Sequence, residues 1–497
     1  MQTSAQNISF PLYRPRSVGY NTNVCGGKGL NTHKKKQEIE NNIPALILLV
    51  MMLVLFLTGC GLTGVGRTGD GRTDDGKTDG VGTSAEKDDE TGREEETISL
   101  GEGFVGEEKY EQSFKKPKTN VNILIDLQGY APEDKKHAYF IGENLSDTFY
   151  VYESTENRLV YSGVIGKAQS DGGKTISCGD FSAVTEPGVY YIQTAVIGRS
   201  YSFRIAKDRY TGQLTEMEEQ FAELTPADYY GEAETIQQRC EMYHSFQILA
   251  LAGQIYAERM SDSFVKKLQE HASWFLESRQ QVLAQRKEEG MEKAPSEEEK
   301  ARQGHEDYQF ACAIASCYPV ICAEDTTLAS KCLREAQKAY QNAQKLLPDG
   351  GADRYNAAAA LYRVTGSYVY HGEVKKENTL SVQERFWGDL YYMMSLRSVD
   401  TNLCSEKMSD FMKLCGQYSD KSGKSAYGLA AKEEEIPDCA VQLAVADYII
   451  VSREYRNVYK EQLHYLLYEK EPDELSHICK SAQLFVLAGL SSEQETE

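Results

Sequence analysis

The apolar residues of this chain change their period part-way along it. From Val121 to about Tyr210 they alternate in short runs: AYFIGE, TFYVYES, RLVYSGVI, KTISCGDFS, GVYYIQTAV and SYSFRIAKD. Turn residues such as Asp171-Gly172-Gly173 and Glu186-Pro187-Gly188 separate the runs. Roughly seven short strands at ~8–12-residue spacing predict a small antiparallel β-sandwich, each strand burying one face. The chain lacks the Cys…Trp…Cys pattern of an antibody domain. From about Gly212 to Leu490 the apolar spacing becomes three and four, as in ETIQQRCEMYHSFQILALAGQIYAERM and VQLAVADYIIVSREYRNVYKEQLHYLL. That period predicts about ten to twelve amphipathic helices joined largely by short loops. Antiparallel hairpins of this kind close into an (α/α) toroid or stack into a solenoid, and the period alone allows either.

The 497 residues exceed one ordinary domain. The formal charge of −21 excludes a nucleic-acid partner, because phosphate binding requires a positive surface. Cys312, Cys317 and Cys322 recur every five residues without any C-x-x-C, so the cysteines read as small buried hydrophobes. No H-x-H or H-E-x-x-H occurs, and no metal or cofactor is expected. Upstream, the basic cluster Lys34–Lys36 precedes the apolar run IPALILLVMMLVLFL at Ile43–Leu57. At ~1.5 Å per residue this run is short for a membrane span and fits the core of an export signal. Leu57-Thr58-Gly59-Cys60 closes it and resembles a bacterial lipobox, which implies lipidation of Cys60 and a membrane anchor outside the cytoplasm; an uncleaved signal anchor is the alternative. The Gly-, Thr- and charge-rich stretch that follows has no large apolar residue to nucleate packing and reads as a disordered tether. The expected organisation is a signal region at 1–60, tether at 61–118, sandwich at 119–210, helical domain at 211–490 and polar tail at 491–497.

VNILIDLQGYAPEDKKHAYF, then Gly179-Asp180-Phe181-Ser182, Pro187-Gly188-Val189-Tyr190-Tyr191 and Ser200–Ile205, follow one another in a familiar order. They resemble the immunoglobulin-like domain that precedes the catalytic module of family-nine glycoside hydrolases, the cellulases. Further on, Asp307–Ala311, Asp353–Gly366 and Gln462–Leu467 are similar to helix motifs of that module. The resemblance implies an Ig-like sandwich followed by a shortened (α/α)-barrel, with β-glucan or another polysaccharide as partner.

In that family hydrolysis inverts the sugar: an acid protonates the leaving oxygen while a carboxylate base ~6.5–9.5 Å away activates water. Laying the family's terminal motif on Ser481–Ala488 brings Glu474 onto the acid and Asp473 beside it. The base motif D-A-G-D is absent from the chain, as are the W-G-S-N helix start and the G-R-N-P turn. Glu474 is also expected at a helix start, where the dipole favours the anion over the raised pKa an acid needs. Glu306 and Asp307, ahead of a helix, and Glu232 and Glu234, upstream of Gln238-Arg239-Cys240, are the carboxylates that could replace the base, although an acid at a helix start is more commonly a cap. The run Glu288–Glu306 reads as a solvated acidic loop. Two functions remain in view: a surface glycoside hydrolase with impaired or lost hydrolysis, and a non-catalytic glycan-binding or structural envelope lipoprotein on the same scaffold.

Overall fold

The computed structural model describes residues 122–171, 173–256, 260–292, 294–376, 379–395, 397–468 and 478–495. The Cys60 lipobox, the apolar run before it, the tether, Asp473 and Glu474 lie outside the described residues.

Two antiparallel sheets form the sandwich. One carries β1 (Ile123–Leu124), β2 (His137–Ile141), β6 (Lys174–Asp180) and β5 (Gln169–Asp171) in that order. The other runs β4 (Arg158–Val164), β3 (Thr148–Glu153), β7 (Gly188–Thr194), β8 (Gly198–Arg199), with β9 (Phe203–Ile205) also paired to β7. Alternation sends Phe140, Phe149, Val151, Tyr190, Ile192 and Phe203 into the shared core, all essentially without exposure. Two of the nine strands have only two residues, which explains why periodicity suggested fewer. Gly129, at φ +92°, passes so close to the Arg204 carbonyl that a Cβ would collide with it, so the G-Y-x-P opening needs its glycine.

Among the described residues thirteen α-helices follow: α1 (Arg209–Glu223), α2 (Pro226–Tyr230), α3 (Ile236–Ile255), α4 (Asp262–Glu292), α5 (Glu297–Glu324), α6 (Thr326–Leu346), α7 (Gly351–Thr365), α8 (Tyr368–Lys375), α9 (Val382–Met393), α10 (Thr401–Ser422), α11 (Ile436–Ile450), α12 (Arg453–Leu467) and α13 (Ile478–Glu495). Reciprocal capping boxes start several of them, Thr235 with Gln238 on α3, Ser296 with Glu299 on α5 and Ser381 with Glu384 on α9. Helix α3 packs on α5, α5 on α7 and α7 on α9; α10 bridges α9 to α11, and α13 packs on both α11 and α3. The path of neighbours therefore returns to its start, which makes the helical domain a barrel. Fully buried alanines, among them Ala250, Ala313, Ala357–Ala360 and Ala444, line these inner helices and let the backbones approach closely. The outer helices α6 and α12 keep one wet face, as hairpins on a barrel must.

The run 288–306 is not the solvated loop expected from its charge. Glu288–Glu292 ends α4, Glu297 begins α5, and Glu306 is buried ten residues into α5. Three glutamates in the first turn of α5 meet the partial positive charge of its N-terminus, so acidity here favours helix. Of the nine free cysteines among the described residues, six are buried, and burial pushes the Cys404 thiol up to about 12. They pack as small hydrophobes.

The sandwich and barrel are joined by a buried polar seam. His464 on α12 pairs through Nδ1 with Asp126 Oδ2 at 2.7 Å, and Lys460 Nζ lies 2.9 Å from Asp134 Oδ1. The Tyr210 hydroxyl donates to Asp134 Oδ2 at 2.7 Å, and Arg209 Nε donates to the Gly129 carbonyl at 3.0 Å. Gln462, from the same Q-L-H motif, accepts from Ala430 N and donates to the Gly428 carbonyl, both at 2.9 Å. The motif is thus a packing device.

Candidate functional site

The N-terminal portions of the inner helices bring together side chains distant in sequence. Asp438 on α11 faces His244 Nε2 of α3 at 3.6 Å and accepts a hydrogen bond from Gln483 of α13. The Trp387 ring of α9 meets His244 edge-on at 5.7 Å between centroids. Asp353 of α7 binds His305 Nδ1 at 2.8 Å and accepts from Gln309 Nε2 at 3.3 Å, both on α5. At this end of the barrel, the mouth, stand one indole, two imidazoles and two carboxylates in two clusters.

The environment of Asp438 pushes its carboxyl pKa up, but the hydrogen bond and charge of His244 and the Gln483 amide outweigh that and hold it below the ordinary carboxylate range. Its side chain is 55% exposed. The hydrogen bond to Asp353 raises the pKa of His305 against the opposing effect of burial. Donor partners therefore favour the ionised form of Asp438.

Glu306 and Asp307, expected ahead of a helix, sit within α5 and are fully buried. Glu306 Oε1 accepts from Arg239 Nε at 2.8 Å, and its Oε2 accepts from Arg239 at 3.1 Å and Arg286 at 2.6 Å. Asp307 Oδ1 is held by Arg279 and, at 2.8 Å, by Arg286, while Asn342 donates to Oδ2 at 2.5 Å. Every oxygen has a donor and neither group reaches solvent, so neither can take a proton from water. Burial opposes the Arg286 cation, yet Asp307 and Glu306 raise its pKa. Two carboxylates and three guanidiniums of opposite sign make this a structural knot. Glu232 and Glu234 are exposed in the loop before α3. Glu474, the expected acid, lies outside the described residues, so its position relative to the mouth is not described.

Sequence reasoning did not single out His244, Trp387 or Asp438, since each stands on a different helix and only closure of the barrel unites them. The arginines of the knot left a trace: Arg279 and Arg286 are two turns apart on α4 and share a face. Among the described residues no group of His, Cys, Asp and Glu could hold a metal ion, and no helix is long and apolar enough to cross a membrane.

Residues 118–199 match the family described as Cellulase N-terminal ig-like domain. Endoglucanase D of Acetivibrio thermocellus is 36% identical over 89 residues, a match covering 18% of this chain and 14% of the endoglucanase's length. In structure, a Bacteroides ovatus GH9 protein superposes with a TM-score of 0.58 at 13% identity, over 75% of this chain and 99% of that one. A metagenome-derived glycoside hydrolase family 9 endoglucanase superposes with a TM-score of 0.55 at 14% identity, over 69% and 83% of the two chains. The chain thus carries a cellulase N-terminal Ig-like domain followed by a helical domain with the (α/α)-barrel fold of family-nine glycoside hydrolases.

Proposed function

We propose that this protein acts in polysaccharide metabolism as a surface-anchored, family-nine-like protein that holds glycan at the barrel mouth without hydrolysing it. The observation that carries this reading is the arginine knot: Glu306 and Asp307, at the start of the family-like Asp307–Ala311 segment, have no oxygen left to activate water. The missing D-A-G-D motif points the same way, because an inverting route needs both halves of the acid–base pair. Trp387 is half-buried beside His244, and an indole is the kind of ring on which the apolar face of a sugar packs.

The test is reducing-sugar release from soluble β-glucan by the full chain. The expected result is no release above background and no change in Glu474→Gln. Turnover that disappears in Glu474→Gln would overturn the reading. One observation favours a hydrolytic alternative, the half-exposed Asp438 held ionised by His244, since ionisation is what a base requires. Turnover lost in Asp438→Asn as well as in Glu474→Gln would identify it.

The anchoring half of the proposal rests on Leu57-Thr58-Gly59-Cys60. Labelled palmitate should enter the wild-type chain in a bacterial host and not Cys60→Ser.

A further inference from the structure

One buried titratable ring belongs to neither the mouth nor the seam. His271, in the first half of α4, has no exposed surface. Its imidazole is walled by three rings from the two preceding helices: Phe221 of α1 at 4.8 Å between centroids, and Tyr229 and Tyr230 of α2 at 5.6 and 5.2 Å. Nδ1 lies 3.2 Å from the Tyr230 hydroxyl, and Nε2 has no hydrogen-bond partner among the described residues. We infer that His271 is an acid-sensitive latch: as a neutral ring it clamps α1 and α2 onto α4, and on protonation it releases them.

The surroundings are built for the neutral ring. From α1 it meets Phe221, while the Glu218 carboxylate of that helix accepts instead from the Ser261 backbone N–H at 3.2 Å. From α2 it meets the two tyrosines. Behind Phe221 stands the Phe485 ring of α13. On α4 itself the charge that acts on the imidazole is Lys267, one turn back and of like sign. Burial first, and Lys267 second, pull the His271 pKa down to about 3. An imidazolium here would gain some attraction from the ring faces, but it would lose its hydration shell, and a single hydroxyl replaces little of that.

The position of the latch gives its release a consequence. Helix α1 follows β9 after three residues and carries Arg209 and Tyr210 of the seam at its start. Its far end is tied to α4 by the His271 cage and by Lys267 Nζ, which donates to the Leu224 carbonyl at 2.8 Å. Freeing that end loosens the covalent joint between sandwich and barrel. A folded pKa below the ordinary ~6.5 gives clamping that is complete above that value and lost as pH falls towards the folded one. Glu218 acts with the opposite sign: burial raises its pKa, so its protonation in acid favours the closed state. Comparison of wild type with a His271 variant separates the two.

The experiment is amide hydrogen exchange on the full-length, detergent-solubilised protein at pH 7 and pH 5, corrected for the intrinsic exchange rate. With the ring returning to its ordinary pKa on opening, segment 209–230 should open ~25-fold more often at pH 5 than at pH 7. The expected result is that increase in segment 209–230, with β3 and β7 unchanged. The increase should vanish in His271→Phe, which fills the cage with an uncharged ring, and in His271→Gln, run beside it as a polar neutral replacement. Three results would overturn the inference: a wild-type increase below threefold, an equal increase in whichever variants fold, or a uniform increase over the whole chain.

Discussion

Lys460 on α12 sets its ammonium 2.9 Å from Asp134 Oδ1, tying the last third of the barrel to a β-sandwich residue 326 positions earlier. Asp134 is essentially unexposed and takes further support from Tyr210 and from the Ala131 backbone N–H, each donating to its Oδ2 at 2.7 Å. The seam is a buried charged network held by its own ion pairs together with backbone groups such as the Ala131 N–H and the Gly129 carbonyl.

Removing one member should cost more than its own contact, because the partner charge stays behind in low dielectric. Asp134→Ala is expected to lower unfolding stability by about 3–5 kcal/mol. Urea denaturation followed by circular dichroism checks this, and a loss under 1 kcal/mol would show that the seam is not buried in solution.

The same residue sets an acid limit. Burial raises the Asp134 pKa, but Lys460, His464 and the Tyr210 hydroxyl together hold it below its ordinary value. A folded pKa below the unfolded one, ~3.9, gives stability that is complete above that value and lost as pH falls through the folded one. Wild type should therefore lose its advantage over Asp134→Asn between about pH 4 and the lower folded pKa. Paired denaturant titrations at pH 6 and pH 3 measure the difference; an advantage unchanged at pH 3 contradicts the assignment.

The arginine knot predicts a structural phenotype. Arg279→Ala leaves Asp307 with Arg286 and Asn342 only, and Glu306 with one fewer cation nearby. A loss of about 3–5 kcal/mol is expected, with no gain of β-glucan hydrolysis. Thermal unfolding and a reducing-sugar assay read the two outcomes, and gained turnover would show that the carboxylates had been freed as bases.

A third buried cluster permits a cleaner test. Asp389 on α9 accepts from Lys407 Nζ at 2.7 Å and from the Tyr355 hydroxyl at 2.5 Å, and lies 3.2 Å from Arg385. Lys407→Met alone should destabilise by about 3 kcal/mol, whereas Lys407→Met with Asp389→Leu should recover part of the loss. A double-mutant cycle by chemical denaturation decides, and strictly additive losses would argue against coupling.

Particular residues show where sequence reasoning reached and where it stopped. Alternation marked β2, β3, β4, β6 and β7, although β4 buries only Gly163 outright and β2 buries side chains on both of its faces. The capping box Ser296-x-x-Glu299 was present in the letters, but the surrounding acidity made the segment read as loop. Acidic side chains at a helix N-terminus are favoured by the dipole, so charge density there is no sign of irregular chain. Glu306 and Asp307 stood out as carboxylates, while their neutralisation stayed hidden, since Arg239 and Glu306 lie 67 residues apart.

What the sequence by itself determined is the change of period near residue 210, the sandwich before it, the helices after it and the family they resemble, because hydrophobic spacing and tight-turn glycines act within a few residues. What only the tertiary structure decided is which charges meet: Asp438 with His244, Glu306 with three arginines, Asp134 with Lys460. Coulombic pairing depends on separation in space, and barrel closure alone sets that separation.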